Sequence, residues 1–111
     1  MKIGKMEFVV EWADTPIKRT KGLMFRKHLK HALVFDLGRE TNIGAAIHSI
    51  FVFFPFDIIW LNSKGLVVAM RTVGPFRLFE SPGAKAHYFI ELPAGTIRKS
   101  GIKLGQKINL S

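Results

Sequence analysis

Cysteine is missing from all 111 residues, which removes disulfide staples, thiolate metal sites and cysteine nucleophiles at once. Long apolar runs are missing too. The greasiest stretch, Ile47 to Leu61 (IHSIFVFFPFDIIWL), is broken by His48, Ser49, Pro55 and Asp57. A membrane-spanning helix wants roughly 20 consecutive apolar residues, so no transmembrane segment is expected. The opening MKIGKMEFVVEW reaches Glu7 before any long apolar core and has no small-residue cleavage site. No secretory signal is therefore expected, and cytoplasmic residence is the default. Acidic residues are scarce: 8 Asp plus Glu stand against 17 Lys plus Arg, a formal charge of +9. Such a field attracts polyanions, but without a recognised binding motif it predicts only weak, non-specific nucleic-acid binding. Internal repeats, linkers and low-complexity segments are absent as well.

What is present is apolar and β-prone. A 48% apolar content with ten phenylalanines suffices for one real core, and the length predicts a single domain over 1–111. Within Ile47–Leu61 the β-branched and aromatic residues predict two buried strands, Ile50–Phe54 and Ile58–Trp60, jointed at Pro55, which cannot donate a ladder hydrogen bond. Partial alternation over Ile3–Trp12 predicts a half-buried opening strand. Thr15 as N-cap and Pro16 at the first helical position predict a short helix, weakened by Gly22 and ending near Met24. Ala32–Phe35 is expected as a short strand and Gly38–Gly44 as a polar connection.

The turn chemistry of Asn62-Ser63-Lys64-Gly65 predicts a hairpin in which Leu66–Met70 returns antiparallel to Asp57–Leu61. His87–Leu92 is another strand, ended by Pro93-Ala94-Gly95. Thr96–Ser100 reads as one helical turn stopped by Gly101, and Ile102–Leu110 as a final strand. About seven short strands with one short helix near the N-terminus predict a mainly β fold, a compact barrel or sandwich. Phe51, Phe53, Phe54 and Phe56 make both sides of the central run apolar. Either the monomer covers both faces of its sheet or one face meets a second copy in a homodimer.

Three segments taken together, KGLMFR (Lys21 to Arg26), IHSIFVFFPFDIIWLNSKG (Ile47 to Gly65) and YFIELPAGTIRKSGIKLG (Tyr88 to Gly105), resemble domain-of-unknown-function family 192, small proteins of bacteria and archaea. The resemblance covers most of the chain in the right order. It implies a mainly β domain and no established activity, substrate or cofactor. Two departures stand out. Gly105-Gln106 replaces the glycine-aspartate common in that family, and no counterpart of the export signal of many members is expected.

Arg26, His48, Asp57 and Glu91 lie in those segments, each interrupting or bordering apolar sequence. A charge near a core is costly unless paired. One reading pairs Arg26 with Asp57 or Glu91 to tie the helix end to the sheet. Another makes the four a ligand-binding set for an anionic small molecule. A hydrolase with His48 as general base and Asp57 as its orienter has no nucleophile motif to accompany it. His28 and His31, three positions apart with no carboxylate beside them, make a poor metal site. The expected function is therefore a non-enzymatic binding or accessory domain needing no cofactor. A small enzyme acting on an anionic substrate and a weak nucleic-acid binder are the alternatives.

Overall fold

The computed structural model describes residues 1–13, 31–41, 54–74 and 83–110. Their organising element is a five-stranded sheet in the order β3 (Val10–Ala13), β4 (Ala32–Thr41), β7 (Ala86–Pro93), β5 (Phe56–Leu61) and β6 (Val67–Val73). β3 runs parallel to β4, and every other neighbour is antiparallel. A two-stranded hairpin, β1 (Lys2–Ile3) with β2 (Met6–Glu7), precedes it, and a single turn of helix, α1 (Thr96–Ser100), follows it. The fold is mainly β, and the described strands are sandwich-like and do not close into a barrel. The helix expected over Thr15–Met24 and the strand over Ile50–Phe54 lie wholly or mostly outside the described residues.

β5 is buried at all six positions, and alternation sends its side chains to two separate cores. Phe56, Ile58 and Trp60 pack with Leu33, Phe35, Ala69, Val73 and Phe89 on one face. Ile59 and Leu61 pack with Ile3, Val34, Ile90, Leu92, Ile102 and Ile108 on the other. Strands buried on both faces read as continuous apolar runs, which explains FDIIWL, apolar at every position but Asp57. Both faces are closed within one chain, since Trp60, Ile58, Ile59 and Ile90 are each 0% exposed.

The expected hairpin forms: Ile59 faces Met70 and Trp60 faces Ala69, with a register shift before Leu61 and Val67. Asn62 builds its turn, its side-chain oxygen accepting from Lys64 N and Leu66 N, both at 3.0 Å. Three expectations need correction. The opening strand is split into β1, β2 and β3 because Gly4, at φ 55°, turns the chain tightly against α1. A Cβ there would lie 2.1 Å from the Ser100 carbonyl oxygen, and Lys5 N donates to that same oxygen at 3.0 Å. Residues Gly38–Thr41 are not a polar connection but the outer half of β4. A register shift between Asp36 and Thr41 accommodates them, and the Asp36 carboxylate accepts from Gly38 N at 2.7 Å.

The third correction concerns Ile102–Leu110, which forms no strand beyond one bridge between Lys107 and Leu66. Its apolar alternation serves burial rather than a ladder: Ile102 and Ile108 plug the second core. Backbone bonds from Gly105 N to Val67 O (2.8 Å), Val67 N to Gln106 O (2.9 Å) and Ile108 N to Gly65 O (2.9 Å) fasten it to the hairpin end.

Candidate functional site

Asp57 lies on β5 at 0% exposure, where an ionised carboxylate survives only with its oxygens satisfied. Both are. Oδ1 accepts from Thr72 Oγ1 at 2.7 Å and Oδ2 from Ile97 N at 2.8 Å. Thr72 is its direct cross-strand neighbour on β6, whereas Ile97 is the second residue of α1. That helix starts at Gly95, which has no side-chain cap, and carries no acid in its first turn. Asp57 supplies from the sheet the acceptor and the negative charge that a helix start otherwise takes from its own sequence. The proline-x-aspartate segment and the helix that follows ELPAG thus meet through one carboxylate.

Glu91 is 5% exposed on β7, opposite Leu33 on one side and Ile58 on the other. Both neighbours belong to the first core, while Asp57 shares the side of Ile59 and Leu92. The sheet therefore separates Asp57 from Glu91, and the two carboxylates do not line a common pocket. Glu91 is not without a partner, and no buried side-chain oxygen or nitrogen of the described residues is left unsatisfied. Arg26 and His48, the other two candidates, lie outside the described residues.

A polar chain that sequence reasoning did not single out joins Asp36 in the middle of β4, Ser63 in the turn after β5 and His87 near the start of β7. Ser63 Oγ is 2.9 Å from His87 Nδ1, and His87 Nε2 is 3.1 Å from Asp36 Oδ1. The His87 ring also stacks on Tyr88 at 4.2 Å. A serine, a histidine and an aspartate in hydrogen-bonded series can polarise a hydroxyl. Here, however, Ser63 N donates to Glu40 Oε1 at 2.9 Å. A carboxylate at the nucleophile's own amide opposes the oxyanion that acyl transfer must stabilise. The Ser63 backbone and side-chain hydrogen bonds hold the Glu40 carboxyl below its usual pKa range, with lesser help from the charges of His87 and Lys85. No sequence spacing announces the cluster, because its members come from two strands and a turn. Among the described residues no three His, Asp or Glu side chains are grouped to hold a metal ion.

The feature of greatest extent is electrostatic. From Leu92 to Ser111 the chain contains no Asp or Glu. Arg98, Lys99, Lys103 and Lys107 are all exposed there. The β1–β2 hairpin, joined to this segment at Ser100, adds exposed Lys2 and Lys5 against the single acid Glu7. None of the six cations is in an ion pair among the described residues. No described helix is long and apolar enough to cross a membrane.

Comparison with known proteins agrees with this architecture. The model of DUF192, described as Uncharacterized ACR, COG1430, matches residues 1–110. A UPF0127 protein of Thermococcus kodakarensis is 43% identical over 90% of this chain and 63% of its own length. One from Pyrococcus horikoshii is 43% identical over 89% of this chain and 84% of its own. The chain thus spans less than two thirds of the Thermococcus kodakarensis relative. A crystal structure from Sinorhizobium meliloti, of a candidate transcription regulator, superposes with a TM-score of 0.80 at 25% identity, covering 88% of this chain and 78% of that one. A protein of unknown function from Novosphingobium aromaticivorans gives 0.80 at 23% identity, covering 92% and 74%. A family match that runs nearly end to end, with relatives 43% identical over about nine tenths of its length, makes this chain a member of the DUF192 family.

Proposed function

We propose that the domain is a non-enzymatic binding module whose basic face, formed by the tail after β7 together with the β1–β2 hairpin, recognises an anionic partner. The observation that carries this reading is the set of six exposed cations, Lys2, Lys5, Arg98, Lys99, Lys103 and Lys107, with Glu7 as the only acid in those two segments. Protein surfaces normally intersperse charges of both signs. Leaving several unmatched on one region raises local repulsion, which a polyanion relieves by releasing counterions. Asp57 supports a binding role over catalysis, because its two oxygens are spent on Thr72 and Ile97. The Ser63 chain supports it too, through the carboxylate at the serine amide.

Nucleic acid is one anionic partner consistent with this face, and the Sinorhizobium meliloti relative is described in terms of transcription. The test is retention on immobilised heparin and anisotropy with DNA and RNA oligomers across a salt series. Wild-type protein is expected to bind without sequence preference, its log affinity falling linearly with log salt. Neutralising Arg98, Lys99, Lys103 and Lys107 to glutamine should flatten that slope by about 3–4, near 0.9 per lost contact on duplex DNA. Unchanged heparin elution and slope would defeat the reading.

A further inference from the structure

Residues Lys103 to Gln106 form a tight turn within the basic face. Gln106 N donates to Lys103 O at 3.2 Å, the Gln106 side-chain oxygen accepts from Lys103 N at 3.0 Å, and Gly105 takes φ 84°. The turn is fixed to the sheet through Gly105 N to Val67 O at 2.8 Å and Val67 N to Gln106 O at 2.9 Å. At its tip stands Leu104, 63% exposed, one of two large exposed hydrophobics among the described residues. Lys103 and Lys107 flank it. Lys64 projects from the hairpin turn to which the tail is bonded through Ile108 N and Gly65 O.

A single exposed leucine is ordinary on a protein surface. This one differs in being held at the apex of a braced turn with exposed lysines around it. We propose that the Leu104 turn docks on an anionic lipid surface, Leu104 entering the boundary between headgroups and acyl chains while Lys64, Lys103 and Lys107 meet the headgroup phosphates. The inference rests on the reading that the basic face takes an anionic partner and names which one. Lipid satisfies both halves of the arrangement, anionic headgroups for the lysines and hydrocarbon for the leucine. A nucleic-acid backbone satisfies only the charges, and it would call for exposed aromatic platforms if single-stranded. Among the described residues the large exposed hydrophobics are instead aliphatic, Val9 and Leu104.

The experiment is co-sedimentation with phosphatidylcholine vesicles with and without phosphatidylglycerol, run beside heparin retention on the same proteins. Wild-type protein should sediment only with the phosphatidylglycerol vesicles. Leu104→Ser should lower partitioning about tenfold, the share of a leucine transfer that a partly exposed side chain still has to gain. Its heparin retention should not change. Lys103→Gln and Lys107→Gln should each lower partitioning about fivefold and weaken heparin retention as well. Leu104→Trp should show blue-shifted emission on anionic vesicles, a readout independent of the serine variant's behaviour. Wild-type vesicle affinity in Leu104→Ser, with no shift in Leu104→Trp, overturns lipid docking and leaves the anionic-partner reading intact. Lysine variants unchanged in both assays overturn that underlying reading too.

Discussion

Replacing Asp57 with alanine is the sharpest perturbation of this fold. The substitution removes the buried acceptor of two partly buried hydrogen bonds, from Thr72 Oγ1 at 2.7 Å and Ile97 N at 2.8 Å. It leaves the Ile97 amide near a helix start with no cap of its own. Hydrogen bonds to a charged acceptor contribute about 1.5–3 kcal/mol each, and a stranded buried donor costs about 1–3 kcal/mol. Losing the carboxylate also relieves its desolvation, and the exposed Thr72 hydroxyl can turn to water, so a net loss of about 2–3 kcal/mol results. For a domain of this size that lowers Tm by roughly 8–12 °C. Asp57→Asn is the informative companion. Its amide oxygen can still accept from Ile97 N while the NH2 faces the Thr72 hydroxyl, which can turn to accept, so about 1–2 kcal/mol should be lost. Urea melts of both variants and of Thr72→Val, read as a double-mutant cycle, give the coupling. An Asp57→Ala loss within about 0.5 kcal/mol, the range of ordinary surface changes, would refute the capping argument.

Gly4→Ala should destabilise by more than about 1 kcal/mol, because an alanine at φ 55° is strained and its Cβ would meet the Ser100 carbonyl at 2.1 Å; equal melts for the two proteins would contradict the close approach. Glu40 has a folded pKa below its ordinary 4.5, so its stabilisation is present above that value and lost as pH falls through the folded pKa. Glu40→Gln should therefore flatten the stability profile below about pH 4.5, and an NMR titration placing Glu40 at or above that value would refute the assignment. Ser63→Ala should leave any hydrolysis of activated esters by the protein at the wild-type rate, because Glu40 opposes oxyanion formation there; a selective loss of turnover in the variant would reverse that conclusion.

Local chemistry in the sequence determined the hairpin, because Asn62 and Gly65 specify a turn whatever surrounds them. It equally determined β7, the turn of helix at Thr96–Ser100, and the two-sided burial of β5 that FDIIWL demands. The net charge of +9 was likewise plain, since charge is additive and needs no fold. Where each polar side chain points was decided only by tertiary structure. Asp57 and Glu91 look alike in sequence, yet strand parity and register send them to opposite faces of one sheet. The helix start that Asp57 caps is 40 residues away. The Ser63–His87–Asp36 chain needed three separate elements to converge, which no local spacing encodes. The tail misled for a related reason: alternating apolar residues signal burial on one side, and a ladder forms only where a partner strand runs alongside. Here the hairpin end offers Ile102–Leu110 a few backbone anchors and a core to plug, so the same pattern yields a strap instead of a strand.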